Sequence, residues 1–195
     1  MNIAFKEWAI VVDALGQGDQ VVILRKGGIH EGETGFKLEH NAFLLFPTRF
    51  HQQRTLVTLE AQHRFDQRTL LNETGERVRI ASIAEVIAAA EVHDFAAVQR
   101  LHGLHIWSEE LIAQRFAWNN QPMIHAFFLH VSKLSSPVEL PMAPAYAGCK
   151  SWVELERDID TSNTTSVLNP DALREKLRAF HEALGISSTS FAKFP

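Results

Sequence analysis

The chain has 195 residues, 46% of them hydrophobic and 22% charged, which is enough apolar material for one packed core at a length that a single domain can serve. Its formal net charge of −4 argues against gripping nucleic acid through bulk positive charge, because that affinity rests on Lys and Arg neutralising phosphates. One cysteine, Cys149, excludes an internal disulfide and a cysteine-built zinc site, and it suits a reducing compartment.

The opening MNIAFKEWAIVVDALGQGD is too polar for a signal peptide. No stretch reaches the apolar length of a membrane span, so a cytoplasmic protein without membrane contact is expected. Ile3 to Leu15 reads as an amphipathic helix, with Trp8, Val11, Val12 and Leu15 at helical spacing and Gly16 and Gly18 as its stop. Gln20 to Lys26 (QVVILRK) reads as a buried strand ended by Gly27-Gly28, and His30 to Gly35 as a Gly-rich loop. Phe36 to Phe46 is a second β-leaning stretch that Pro47 should terminate. Arg49 to Gln67 is compatible with a helix. Val78 to Ala89 fits strand or helix, its alternation favouring a strand at the start. Asp94 and Ser108 are N-caps for helices through Leu101 and Trp118. Ile124 to Leu134 (IHAFFLHVSKL) is the strongest strand, with short ones at Val138–Leu140 and Ser151–Leu155. TSNTTS, residues 161–166, reads as polar linker. Asn169-Pro170-Asp171 then opens a helix by capping rules, with an apolar stripe of Leu173, Leu177, Phe180 and Leu184 and Gly185 as its close.

This order lacks the regular strand–helix alternation of a doubly wound fold. The expected class is α+β: a mixed or largely antiparallel sheet flanked by helices. One domain spans 1–160, a linker 161–168, a helix docking on the domain 169–186 and a frayed tail 187–195.

Several chemistries fail for lack of their motif. Gly16-Gln17-Gly18 has no third glycine and follows a helix pattern, so it is not a dinucleotide fingerprint. Gly148-Cys149-Lys150-Ser151 lacks the earlier glycine of a phosphate loop. There is no G-x-S-x-G elbow and no H-E-x-x-H helix. No lysine has an acid two residues before it, as a restriction-type nuclease requires. Neither a metal nor a cofactor is expected.

Among the ten histidines, His102 and His105 have the offset that brings two imidazoles together on a helix, with Glu109 or Glu110 as a conceivable third ligand. His125 and His130 are an odd number apart and face opposite sides of their strand. Cys149 becomes a nucleophile only where a histidine lowers its pKa. Three polar clusters adjoin apolar segments: Arg25-Lys26-Gly27-Gly28, then Pro47-Thr48-Arg49-Phe50-His51-Gln52-Gln53, then Tyr146-Ala147-Gly148-Cys149-Lys150-Ser151-Trp152. Each alone is accounted for by turn chemistry and packing. Together they combine small, cationic and aromatic residues, which suits holding a phosphate while stacking on a base.

In FKEWAIVVDALGQGDQVVILRKGGI, FLLFPTRFHQQ, AFFLHVSKLSSPVELP and YAGCKSWVEL, the chain resembles a prokaryotic family, the domain of unknown function 1802, over roughly residues 3–155. That family carries no established activity. The resemblance implies a link to restriction-modification systems, an association rather than a mechanism. The FFLHVSKLSSPVELP pattern also resembles small barrels of the PUA and ASCH type, which implies a small barrel that binds RNA or modified nucleobases. The leading expectation is a nucleic-acid-associated binding module. In it Arg25, Lys26, His51 and Lys150 contact phosphate, Gln52 adds a donor, and Tyr146 or Trp152 stacks. The rivals are a metal-assisted hydrolase or nuclease using residues such as Glu39, His40 and His51, and a protein-interaction subunit using the C-terminal apolar stripe. Oligomeric state is not legible.

Overall fold

In the computed structural model, residues 1–26, 39–70 and 76–186 are described, the side chains of 67–70 excepted. The expected Gly27-Gly28 stop, the loop at 30–35, the start of the second β stretch at 36–38 and the tail at 187–195 lie outside the described residues. The elements in order are β1 (Ile3–Trp8), α1 (Ala9–Gln17), β2 (Val22–Arg25), β3 (Ala42–Thr48), α2 (Leu59–Leu70), β4 (Arg77–Val92), α3 (Phe95–Gln99), α4 (Glu109–Ala117), β5 (Ile124–Pro141), β6 (Trp152–Glu154), β7 (Thr164–Ser166) and α5 (Pro170–Leu184). Short 3₁₀ turns at Arg54–Leu56, Trp118–Asn120 and Pro144–Tyr146 punctuate them.

The strands form one sheet in the order β2-β5-β4-β3-β1-β6, with β7 on the second half of β5. β1 and β3 run parallel and the other pairs antiparallel. The class is therefore α+β with a mixed, mainly antiparallel sheet, curled into a half-barrel and carrying helices, as expected. Both faces of its centre are buried. Phe5, Phe43 and Leu45 enter one core, whereas Ala4, Leu44 and Phe46 enter the other. Burial on two sides explains the unbroken apolar run of residues 43–46, which a one-sided strand would interrupt with polar residues.

Bulges supply the curl. On β4, Ile87 is an extra residue between the pairs Val86↔Leu129 and Ala88↔Phe128. Further along, residues 134–137 of β5 stand opposite Ala81 alone, between the pairs Ser82↔Lys133 and Ile80↔Val138. Pro137 falls in this excursion, where β4 asks no hydrogen bond of it, so the two expected strands are one long β5.

Three expectations are corrected. The helix expected from Ile3 is a strand as far as Trp8. β1 lies between β3 and β6, with five of its six residues buried, and the backbone turns into α1 only at Trp8 (φ −51°, ψ 137°). Pro47 does not end β3. The strand loses β4 after Leu44 but stays paired with β1 through Thr48, so the missing N–H falls where only one neighbour remains. Thr164–Ser166, within the stretch expected as linker, pairs with β5.

The capping expectations agree with the structure. Asp94 accepts from Ala96 N, Ser108 from Leu111 N and Asn169 from Ala172 N. Gly18 and Gly185 close α1 and α5 in the left-handed conformation. On α5, Phe180 is fully buried in the main core. No described helix is long and apolar enough to cross a membrane.

Candidate functional site

A cavity of about 230 Å³ opens where the ends of β1 and β2, the turn after β3, α4 and the loop before β6 come together. β1 contributes Lys6, Glu7 and Trp8; β2 and its end contribute Leu24, Arg25 and Lys26. Thr48, Phe50 and His51 come from β3 and its turn, Arg115 from α4, and Gly148, Cys149, Lys150 and Ser151 from the loop. The sheet's curl makes this possible. β2 and β1 are four strands apart in the sheet order, about 19 Å in a flat sheet. Yet Arg25 Nη2 donates to Lys6 O at 2.8 Å and lies 2.9 Å from Glu7 Oε2.

Lys6 anchors the loop. Its buried ammonium donates to Tyr146 O at 2.7 Å and Gly148 O at 2.8 Å, and its backbone N–H donates to Ser151 O at 2.8 Å. Lys26 donates to Phe116 O at 3.1 Å and Met123 O at 2.9 Å and also to Gln121 O. Arg115 donates to Leu24 O at 3.2 Å and packs over the rings of Trp107 and Trp8. Among the described residues, the hydrogen bonds that fix these cations run to neutral carbonyls. Burial lowers the pKa of Lys6, an effect opposed by Cys149 and reinforced by Lys150, and burial lowers that of Lys26. Arg115 is pulled down to about 10, first by burial, with Glu7 opposing and Arg25 adding to the shift.

The described lining holds five cations, Lys6, Arg25, Lys26, Arg115 and Lys150, against one carboxylate, Glu7. Glu7 is 2% exposed, and its Oε1 accepts from Trp8 N at 2.8 Å. Its Oε2 is ion-paired with Arg25 by distance but out of hydrogen-bond alignment, so that oxygen accepts none. At the rim, Phe50 is 55% exposed, with its ring 4.0 Å from that of His51. The exposed thiol of Cys149 lies 3.9 Å from His51 Nε2. His51 and Gly148 both have positive φ, 60° and 82°.

Of the residues expected to bind, Arg25, Lys26, His51 and Lys150 line this cavity and Gln52, Tyr146 and Trp152 do not. Gln52 caps α1 instead, its Oε1 accepting from Ile10 N at 3.1 Å. Tyr146 is buried, its ring against Phe46 and its hydroxyl accepting from Glu156 N. Trp152 is half-buried against Phe5, Phe43 and His40. Lys6, Glu7, Trp8 and Arg115 escaped the sequence reading. The first three fall in a stretch of helical spacing, and α4 gives Arg115 no distinguishing context. The one available signal was the polar pair Lys6-Glu7 inside an otherwise apolar segment.

Elsewhere, α3 ends at Gln99, so His102 and His105 follow the helix instead of sharing its face. His105 is buried and its pKa is depressed to about 4, chiefly by burial and then by His102 and Arg115. Glu39 is exposed, and His40 packs on Trp152. No group of three or more His, Cys, Asp or Glu able to hold a metal occurs among the described residues.

The backbone is similar to the crystal structure of ASCH from Zymomonas mobilis, at 13% identity and a TM-score of 0.41, covering 91% of this chain and 93% of that one. It is also similar to two variants of that protein. The tyrosine-to-phenylalanine variant has 12% identity and a TM-score of 0.41, with 91% and 96% covered. The serine-to-alanine variant has 10% identity and a TM-score of 0.37, with 90% and 94% covered. No curated protein matches the chain. Residues 4–179 match the family described as a domain of unknown function, DUF1802. That match runs from the β1 residues that build the cavity into α5, so the chain belongs to the DUF1802 family.

Proposed function

We propose that the cavity binds one unpaired nucleotide of a single-stranded nucleic acid. One observation carries this reading. Among the described residues, distant chain segments bring five cations and a single carboxylate around one recess, in a chain whose net charge is −4. Positive charge concentrated in a low-dielectric recess attracts a phosphate far more strongly than the same charge spread over a solvated surface. The recess is too small for a duplex, and reading unpaired bases in pockets is the usual route to single-strand recognition. Phe50 at the rim offers a face for stacking, which tolerates any base.

The test is fluorescence anisotropy with labelled single-stranded RNA and DNA and their duplexes, over a salt series. Single strands bind in preference to duplexes, more weakly as salt rises, and nucleoside monophosphates compete. Lys150→Ala weakens single-strand binding without unfolding the protein, since Lys150 is exposed. Absence of binding at micromolar protein in low salt rejects the proposal. The metal-assisted hydrolase has less support, because Glu39 and His40 lie outside the cavity lining and no metal-holding group occurs among the described residues.

A further inference from the structure

Resting on the reading above, we infer that Glu7 selects the base and that the preferred ligand is a nucleotide whose base carries an exocyclic amino group. The cavity is rich in donors and poor in acceptors. Among the described lining residues, the carbonyls of Lys6, Leu24, Gly148 and Ser151 already accept from Arg25, Arg115 and Lys6. Glu7 Oε2 is different: among the described residues it is the one buried side-chain oxygen without a hydrogen bond, and its residue lines the cavity. Arg25 Nη2 offsets its charge from 2.9 Å away, but the oxygen accepts no hydrogen bond, and a ligand N–H that reaches it supplies one.

Geometry decides which N–H. Oε2 is a single acceptor on a residue that is 2% exposed, and Oε1 is held by Trp8 N. An amino group on adenine or cytosine projects beyond the ring and presents its hydrogens at the tip. On hypoxanthine or uracil the projecting group at the same position is a carbonyl oxygen, which the carboxylate repels. Their ring N–H lies behind it. The phosphate of either ligand meets the same cations, so the base contact is read separately from the charge.

The experiment is calorimetric titration of the full chain with the 5′-monophosphates of adenosine, inosine, cytidine and uridine, and with ribose 5-phosphate. Adenosine and cytidine monophosphates are expected to bind about tenfold more tightly than their keto partners, the size of discrimination that one buried hydrogen bond gives. Glu7→Gln is expected to reduce that ratio to about twofold, because an amide both donates and accepts. Equal affinity for all four nucleotides, or tighter binding of the keto pair, overturns the assignment of Glu7 while leaving a phosphate-binding cavity. If nothing binds, ribose 5-phosphate included, both this inference and the function it rests on fall. The four-ligand comparison on the unaltered chain decides the question even if the variant does not fold.

Discussion

His105 and Lys6 show how single buried polar groups leave measurable marks. The His105 imidazole is buried, with its pKa depressed to about 4 from 6.5. Between those values the unfolded chain takes up a proton that the folded protein refuses. The stability that His105 contributes is therefore full above pH 6.5 and is lost as pH falls through 4, a loss of about 3 kcal/mol. Urea unfolding from pH 7 to pH 4 should show this slope, and His105→Gln should flatten the part due to this group. Lys6 predicts a different effect. Lys6→Met keeps the length of the side chain but leaves the carbonyls of Tyr146 and Gly148 without their buried donor. Stability should drop by about 2–4 kcal/mol in urea titrations at neutral pH, and single-strand binding should weaken as the loop that carries Lys150 loses its anchor.

At the scale of elements, the end of α1 has little tolerance for change. Gly18 holds φ at +81°, and a Cβ there would meet Leu168 Cδ2 at 2.6 Å. Gly18→Ala should destabilise by about 1–3 kcal/mol, seen as a lower thermal midpoint, because both the helix end and the β7–α5 connection must shift. Legibility divides along similar lines. The caps at Asp94, Ser108 and Asn169 could be read directly, since each depends on residues within three positions of itself. The β1–α1 junction could not. Ala4 and Phe5 continue the helical spacing of Trp8, Val11, Val12 and Leu15, and only the pairing with β3 and β6 makes residues 3–8 extended. The same error concealed Lys6 and Glu7. The lengths of β4 and β5 were hidden because Pro137 reads as a break, whereas the bulge accommodates it without ending the strand. Arg25, Lys26, His51 and Lys150 could be picked from local composition. Their meeting at one cavity depends on sheet curl, which no local pattern encodes.

Taken as a whole, the molecule sets a negative net charge against a small positive recess. A protein that tracks a long phosphate backbone shows a steep salt dependence, whereas one that seats a single nucleotide contacts few phosphates. The logarithm of single-strand affinity should fall against the logarithm of salt with a slope of about −1 to −2, and it should be nearly independent of strand length beyond a few nucleotides. A slope several times steeper would require a second cationic surface. The position of β1 in the sheet has a consequence for synthesis. Its two neighbours are β3 and β6, and its register with β6 joins Ala4 to Val153. A ribosome makes β1 long before β6, so one edge of that apolar strand waits unpaired while most of the domain emerges. A nascent chain halted before Tyr146 would hold Lys6 and Glu7 with no loop to close over them. The recess should therefore be among the last features to form, and on-ribosome proteolysis should find residues 3–8 protected only after β6 has cleared the exit tunnel.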